Sequence, residues 1–423
     1  MQSQSRPEVY ARYALGMLLL VYAFNFVDRI ILGILVPPIK AELHLTDTEL
    51  GLLGGTAFAL FYTALGIPIG WLADRRNRVW IMTIALALWS AFTAASGLAQ
   101  GFTQLFFARL GVGIGEAGGV APAYSLISDY FPPPRRARAL AIYSFGIPIG
   151  SAAGLLFGGL IAARVNWRLA FFVVGGLGLI LAPLFRYCVR EPARGGLDAA
   201  APARPTPSLR EVTRLLAGKI SFWSLSLGGG ASSVVGYGMF FWLPSFFVRS
   251  YHFSLTQVGW YLGALTFFGG VSGIWLGGWL ADRLGSTKRS AYALVPAGAF
   301  LITVPLYVLG VLAPPSPWSL LLFLVPTALA LAWLAPTICA IQHLVLPGMR
   351  TLASAAFLFI INVIGLGLGT LLIGRLSDHF AVRYGSESLR YAILSGTGFY
   401  LLAAALFLLA ARHLTREWQE RTG

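Results

Sequence analysis

Twelve runs of predominantly apolar residues follow one another along this chain, each roughly 18 to 25 residues long and so able to cross a bilayer as a helix. They fall at 14–36, 50–73, 78–99, 103–127, 138–163, 168–189, 220–248, 256–281, 289–312, 318–344, 350–376 and 389–412. Inside lipid every backbone N–H and C=O must be satisfied within the protein, so runs of this length fold as helices. Composition agrees. Hydrophobic residues make up 57% and charged residues 11% of the chain, with 49 glycines, a surface that no soluble domain of this size would carry. The expected class is an all-α polytopic membrane protein. Residues 1–13 are polar, and the first apolar run is too long for a signal sequence, so no cleaved leader is expected.

The cations set the expected orientation. With both termini cytoplasmic, about 22 of the 31 Lys+Arg lie inside, about 7 outside and about 2 within the membrane, which satisfies the positive-inside rule. The formal charge of +15 then needs no nucleic-acid partner. Arg75-Arg76-Arg78, Arg135-Arg136-Arg138 and Lys288-Arg289 sit in short cytoplasmic loops, where they fix topology and meet anionic lipid. Arginine outnumbers lysine by about nine to one, as in high-GC bacterial genes, and the cell inner membrane is the expected location. Cys188 and Cys339 lie in apolar runs without metal-binding spacing and read as packing residues.

An internal repeat divides the chain. Gly70-Trp71-Leu72-Ala73-Asp74-Arg75 recurs as Gly278-Trp279-Leu280-Ala281-Asp282-Arg283, six matched positions 208 residues apart. The reading is two six-helix halves, 1–189 and 220–423, joined by a Pro/Ala/Arg-rich cytoplasmic linker at 190–219. Parallel halves with substrate near the midplane are the architecture expected of the major facilitator superfamily. The duplicated element resembles that superfamily's loop signature. Its expected role is a conformational latch: Asp74 would accept from facing helix N-termini and pair with Arg75, Arg78 or Arg138, with Gly70 in the same element. Asp129, Asp282 and Arg283 would join it. Glycines 146, 150, 154 and 158 form a ladder of small residues suited to close helix packing, and Gly365 and Gly369 look like its counterpart in the second half.

Four charged residues lie well inside apolar runs, away from their ends, where hydrocarbon tolerates them only if they face a cavity or one another. They are Asp28 and Arg29 in the first run and Arg109 and Glu116 in the fourth. Arg109 and Glu116, seven residues apart, project from nearly one helix face. At about 1.5 Å per residue, Glu116, Asp28 and Arg109 lie roughly 15, 21 and 25 Å from the cytoplasmic ends of their helices. Asp28 is therefore intermediate in height, and if helices 1 and 4 face each other, Arg109 can pair with either carboxylate. Protonating one acid frees the cation for the other, which makes a proton-coupled switch. A static network that fixes helix register is the competing reading. The second half has no carboxylate inside a run, so the proton is expected in the first.

Three segments together resemble one family: Asn25-Phe26-Val27-Asp28-Arg29, Arg109-Leu110-Gly111-Val112-Gly113-Ile114-Gly115-Glu116-Ala117, and Met349-Arg350-Thr351-Leu352-Ala353-Ser354 running into Ile361-Asn362-Val363-Ile364-Gly365-Leu366-Gly367-Leu368-Gly369. They look like the Spinster family of major facilitators. The resemblance implies a transporter of single-chain amphiphiles, lysophospholipid or sphingosine-1-phosphate-like, with proton coupling at Asp28 and Glu116 and the helix-4 arginine at Arg109. Phe24, Asn25, Tyr124, Tyr237, Phe241, Trp242, Trp333 and Thr337 are the expected cavity lining, with Arg29 or Arg109 meeting a phosphate or zwitterionic head. The rival is a proton symporter of sugar acids or other small organic anions. No HExxH, GxSxG, Walker lysine motif or CxxC is present, so neither an enzyme nor an ATP-driven pump is expected. Expected partners are the bilayer and a lipid-like substrate, the coupling ion is the proton, no other cofactor is needed, and the chain is expected to act as a monomer.

Overall fold

The computed structural model describes residues 5–194, 209–285, 287–346 and 349–418. Among them every regular element is helical. Ten helices are long and apolar enough to cross a membrane, the last a 66-residue stretch that holds two spans. Broken helices at 102–130 supply the twelfth. The spans are numbered here in chain order: Ser5–Leu43 (span 1), Asp47–Ala73 (span 2), Arg78–Ser96 (span 3), Phe102–Glu116 with Val120–Tyr130 (span 4), Pro133–Ser144 with Gly146–Arg164 (span 5) and Trp167–Cys188 (span 6). Then follow Ile220–Ser250 (span 7), Leu255–Gly285 (span 8), Ala291–Leu312 (span 9), Trp318–His343 (span 10), Arg350–Ile361 continued to Tyr384 (span 11) and Ser388–Gly396 with Gly398–Glu417 (span 12). Leu60, Ile84, Phe157, Ile180, Phe268 and Trp275 are each more than half exposed, as expected of apolar spans facing lipid.

Prolines explain breaks that apolar patterning hides. A proline gives no N–H to the carbonyl four residues earlier and crowds it. Pro122 leaves the Gly118 carbonyl without its helical donor, and span 4 breaks at 117–119, directly after Glu116. Pro148 marks the step at Phe145 in span 5. Pro326 and Pro336 divide span 10 into Pro317–Leu321, Leu324–Leu329 and Leu334–His343. Ends differ from expectation as well: span 1 runs on through Pro37 and Pro38 to Leu43, and span 11 reaches Tyr384.

The chain forms two compact units. One comprises the described residues up to 194 together with Phe253–Gly263; the other comprises those from 209 to 252 and from 264 onward. The division departs from a boundary at 220, because the start of span 8 belongs with the first unit. There Leu255, Gly259 and Gly263 lie against Gly159, Leu155 and Ala152 of span 5, backbone to backbone. Much of the expected linker, 195–208, lies outside the described residues. Leu209–Ala217 is a helix that buries Val212 and Leu216 and exposes Arg210, Glu211 and Arg214.

Within the first unit the glycine ladder of span 5 packs on span 1. A Cβ added at Gly150 would stand 2.1 Å from the Ala23 carbonyl oxygen, and one at Gly154 3.0 Å from that of Val27. Gly146 and Gly158 meet Tyr22 and Ile34 in the same way. The second unit repeats the device: Gly365 and Gly369 of span 11 bear on Ser233 and Val234 of span 7. Glu417, at the end of span 12, caps span 7 by accepting from Ile220 N at 3.1 Å and Ser221 N at 3.0 Å.

Candidate functional site

The charged cluster lies wholly in the first unit, on spans 1 to 4. Asn25 lies one helical turn before both Asp28 and Arg29 on span 1, as their i+3 and i+4 neighbour. Arg109 and Glu116 share a face of span 4. The glycines between them let span 4 approach its neighbours: added Cβ atoms at Gly111 and Gly115 would strike Phe92 and Trp89 of span 3, and one at Gly113 the Phe58 carbonyl of span 2. This Gly-x-Gly-x-Gly stretch therefore sets how deeply Arg109 and Glu116 are held. Asp28, Arg109 and Glu116 are each at most 2% exposed.

Each acid has its own nearest cation. Arg29 donates from Nε to Glu116 Oε2 at 2.6 Å. Arg109 Nη1 stands 3.9 Å from Asp28 Oδ1, an ion pair without a hydrogen bond. The same Asp28 oxygen accepts from the Thr93 hydroxyl of span 3. Arg109 neighbours both carboxylates and pairs with Asp28, while Glu116 bonds to Arg29. The Arg29 guanidinium also lies over three ring faces, at 5.3 Å from Phe26, 4.7 Å from Phe58 and 4.5 Å from Tyr62. Several buried polar atoms here have no hydrogen-bond partner: Nε and Nη1 of Arg109 and Nε1 of Trp89. Buried polar atoms of this kind mark sites that water, a proton or a ligand completes.

The expected cavity lining divides between the units. Asn25 sits beside Glu116, Phe24 is half-buried, and Tyr124 is 43% exposed with its ring edge-on to Tyr143. In the second unit Tyr237 is half-buried. Four other expected lining residues are buried there. Trp242 is fully buried and donates its indole N–H to the Thr370 carbonyl at 2.8 Å, with Phe241 packed edge-on beside it. Thr337 returns its hydroxyl to the Trp333 carbonyl at 2.6 Å, and Trp333 is buried near Phe357. Apolar burial and backbone bonding account for all four. Spans 2, 3 and 5 supply residues not expected: Phe58, Tyr62, Thr93 and Tyr143, the last stacked on Tyr22 at 4.2 Å.

The latch residues also distribute differently. Arg78, 1% exposed, is a hub: its Nε bonds Glu191 at 2.6 Å, its Nη1 bonds Ser125 at 2.7 Å and Asp129, and its backbone N–H bonds Glu191 at 2.8 Å. Asp129 thus joins Arg78 as expected, while Asp74 is exposed and Glu191 takes the place foreseen for it. Arg75 lies 4.0 Å over Trp71 and bonds its carbonyl, and Arg283 repeats this over Trp279 at 5.3 Å. Asp282 accepts from the Tyr292 hydroxyl at 3.1 Å. Arg138 is exposed, and Gly70 has only the Ala121 methyl near it.

A duplicated helical bundle with lipid-facing walls and a charge cluster buried between its helices is the design of a secondary transporter. The major facilitator superfamily model matches residues 18–345. The chain belongs to that superfamily, and within it to the Spinster-like transporters. It is 35% identical over 404 residues to an MFS-type efflux pump of Mycolicibacterium smegmatis, covering 94% of this chain and 90% of the relative. With human Protein spinster homolog 1 it shares 30% identity over 390 residues, covering 87% and 73%. The solved structure of a bacterial homologue of the human lysosomal transporter Spinster, inward-facing and unoccupied, superposes with a TM-score of 0.89 at 30% identity, covering 98% of this chain and 99% of that one.

Proposed function

We propose that this protein is a proton-coupled transporter of single-chain amphiphilic lipids, lysophospholipid or sphingosine-1-phosphate-like, working by alternating access as a monomer. Its setting is the cell inner membrane, with both termini cytoplasmic. The observation that carries the proposal is the Arg29–Glu116 pair beneath the Phe26, Phe58 and Tyr62 rings. Protonating Glu116 cancels its charge and releases the guanidinium, which then meets a phosphate or zwitterionic head while the rings receive the first carbons of the chain. Asp28 and Arg109 form the second ionisable pair, so that proton and substrate compete for the same cations. The relatives named Spinster support this reading.

A second reading, export of a small molecule such as a cationic drug out of the cell, is the one that the likeness to an MFS-type efflux pump brings in. Symport of sugar acids uses the same arginines but has no need of the aromatic faces. Purified protein screened by thermal shift against lysophosphatidylcholine, sphingoid phosphates, gluconate-type sugar acids and cationic drugs separates the three. Stabilisation by lysolipids together with pH-driven lysolipid movement in proteoliposomes is the expected result. Saturation by hydrophilic anions with indifference to lysolipids would replace this proposal with the sugar-acid reading.

A further inference from the structure

Thr93 is fully buried in span 3 and behaves unlike Thr83 and Ser96 of the same helix. A threonine or serine inside a helix commonly returns its hydroxyl to the carbonyl one turn earlier. Thr83 does so to Val79 at 2.8 Å and Ser96 to Phe92 at 3.0 Å. Thr93 instead sends its hydroxyl across to Asp28 Oδ1 on span 1. That oxygen is the one Arg109 faces from 3.9 Å, and Glu116 is the other charged group whose field reaches Asp28. Thr93 therefore holds the acid in place where the arginine does not bond it.

We propose that Thr93 is the positioning residue of the proton switch, a hydroxyl that keeps Asp28 bonded in both protonation states. A hydroxyl is a donor and an acceptor at once. While Asp28 is ionised, Thr93 donates to it. When Asp28 is protonated, its new O–H donates to Thr93 Oγ, which accepts through a lone pair as its own hydrogen rotates away. Only Asp28 changes its proton count, and the hydroxyl rotates without moving either helix. The carboxyl thus loses no partner on protonation, and Arg109 is left to report the charge.

The inference rests on the reading that Asp28 carries a proton. Infrared difference spectra of the purified full-length protein between high and low pH test it without any substrate. The protonated carboxyl band that disappears in Asp28→Asn belongs to Asp28. Thr93→Val, close in shape, is expected to move that band to higher wavenumber, as for a carboxyl that has lost its acceptor, while Thr93→Ser leaves it in place. In proteoliposomes loaded with lysophosphatidylcholine, Thr93→Val is expected to lose proton-driven accumulation more than tenfold but to keep exchange within about twofold, since a mere packing defect would lower both. An Asp28 band that stays put in Thr93→Val overturns the role of Thr93 and leaves the proton reading intact. Absence of any band lost in Asp28→Asn overturns the proton reading and this inference together.

Discussion

Arg29 binds Glu116 across spans 1 and 4 at 2.6 Å, with the carboxylate fully buried and the arginine side chain 14% exposed. The pair is therefore asymmetric: the acid is sealed in, while the arginine side chain stays slightly exposed. A buried charge that loses its partner is costly, by about 3–5 kcal/mol when one member is removed. Replacing the proton balance on Glu116 thus changes what Arg29 must bind, and that dependence underlies the coupling proposed here.

Arg109 tests the second pair. Arg109→Lys keeps the charge but loses the planar fork, and lysine gives up its proton more readily in a buried site. Proteoliposome assays are expected to show severely impaired coupling. Arg109→Ala takes away the cation against which Asp28 ionises, and the pH dependence of transport should change. A wild-type pH profile in Arg109→Ala would make the static-network reading the better one.

Arg78 is the structural counterpart, with four bonds to the Glu191 and Asp129 carboxylates, the Glu191 carboxylate met through both backbone and side chain, and to Ser125. Arg78→Ala leaves two partly buried acids without their cation and should cost about 3 kcal/mol. A thermal melt in detergent is expected to fall by several degrees, with Arg78→Lys between the two. An unchanged melting temperature would show that the hub contributes nothing to stability.

The glycine ladder gives a sharp contrast within one unit. Gly150→Ala would bring a methyl carbon to within 2.1 Å of a backbone oxygen, so spans 1 and 5 must separate. Overpacking that moves backbone costs about 1–3 kcal/mol or more. Gly176 in span 6 has nothing within 4 Å, and Gly176→Ala should be neutral or stabilising by up to about 1 kcal/mol. Equal melting temperatures for the two variants would argue against close packing of spans 1 and 5.

Asp74 stands exposed at the end of span 2, so any latch it forms acts in another conformation. Asp74→Asn is expected to shift the population toward the inward-open state, read as longer distances between spin labels on the two cytoplasmic halves. An unchanged distribution would remove Asp74 from the latch.

The number of spans, the duplication at Asp74 and Asp282, and the burial of Asp28, Arg109 and Glu116 were all legible in the sequence, because hydrophobic length, exact repeats and charges in lipid leave few alternatives. Pairing was not. Whether Arg29 or Arg109 bonds Glu116 depends on helix rotation, which rise per residue does not supply. Thr93, Phe58 and Tyr62 sit on spans whose charges lie only at their ends, and gave no signal above ordinary packing. Trp242 and Thr337 resembled ligand contacts by type, yet their polar atoms are satisfied by Thr370 and Trp333 carbonyls. Glu191 follows span 6 in a loop, and only the fold brings it to Arg78.

Proton uptake coupled to substrate movement is the most direct test of the central claim. Proteoliposomes carrying a pH-sensitive dye and lysophosphatidylcholine should show dye quenching with the wild-type protein, and none with Asp28→Asn or Glu116→Gln, both of which keep side-chain size and remove the titratable charge. Expression and melting temperature of the two variants should stay near wild type. Wild-type proton flux in both variants would contradict the switch.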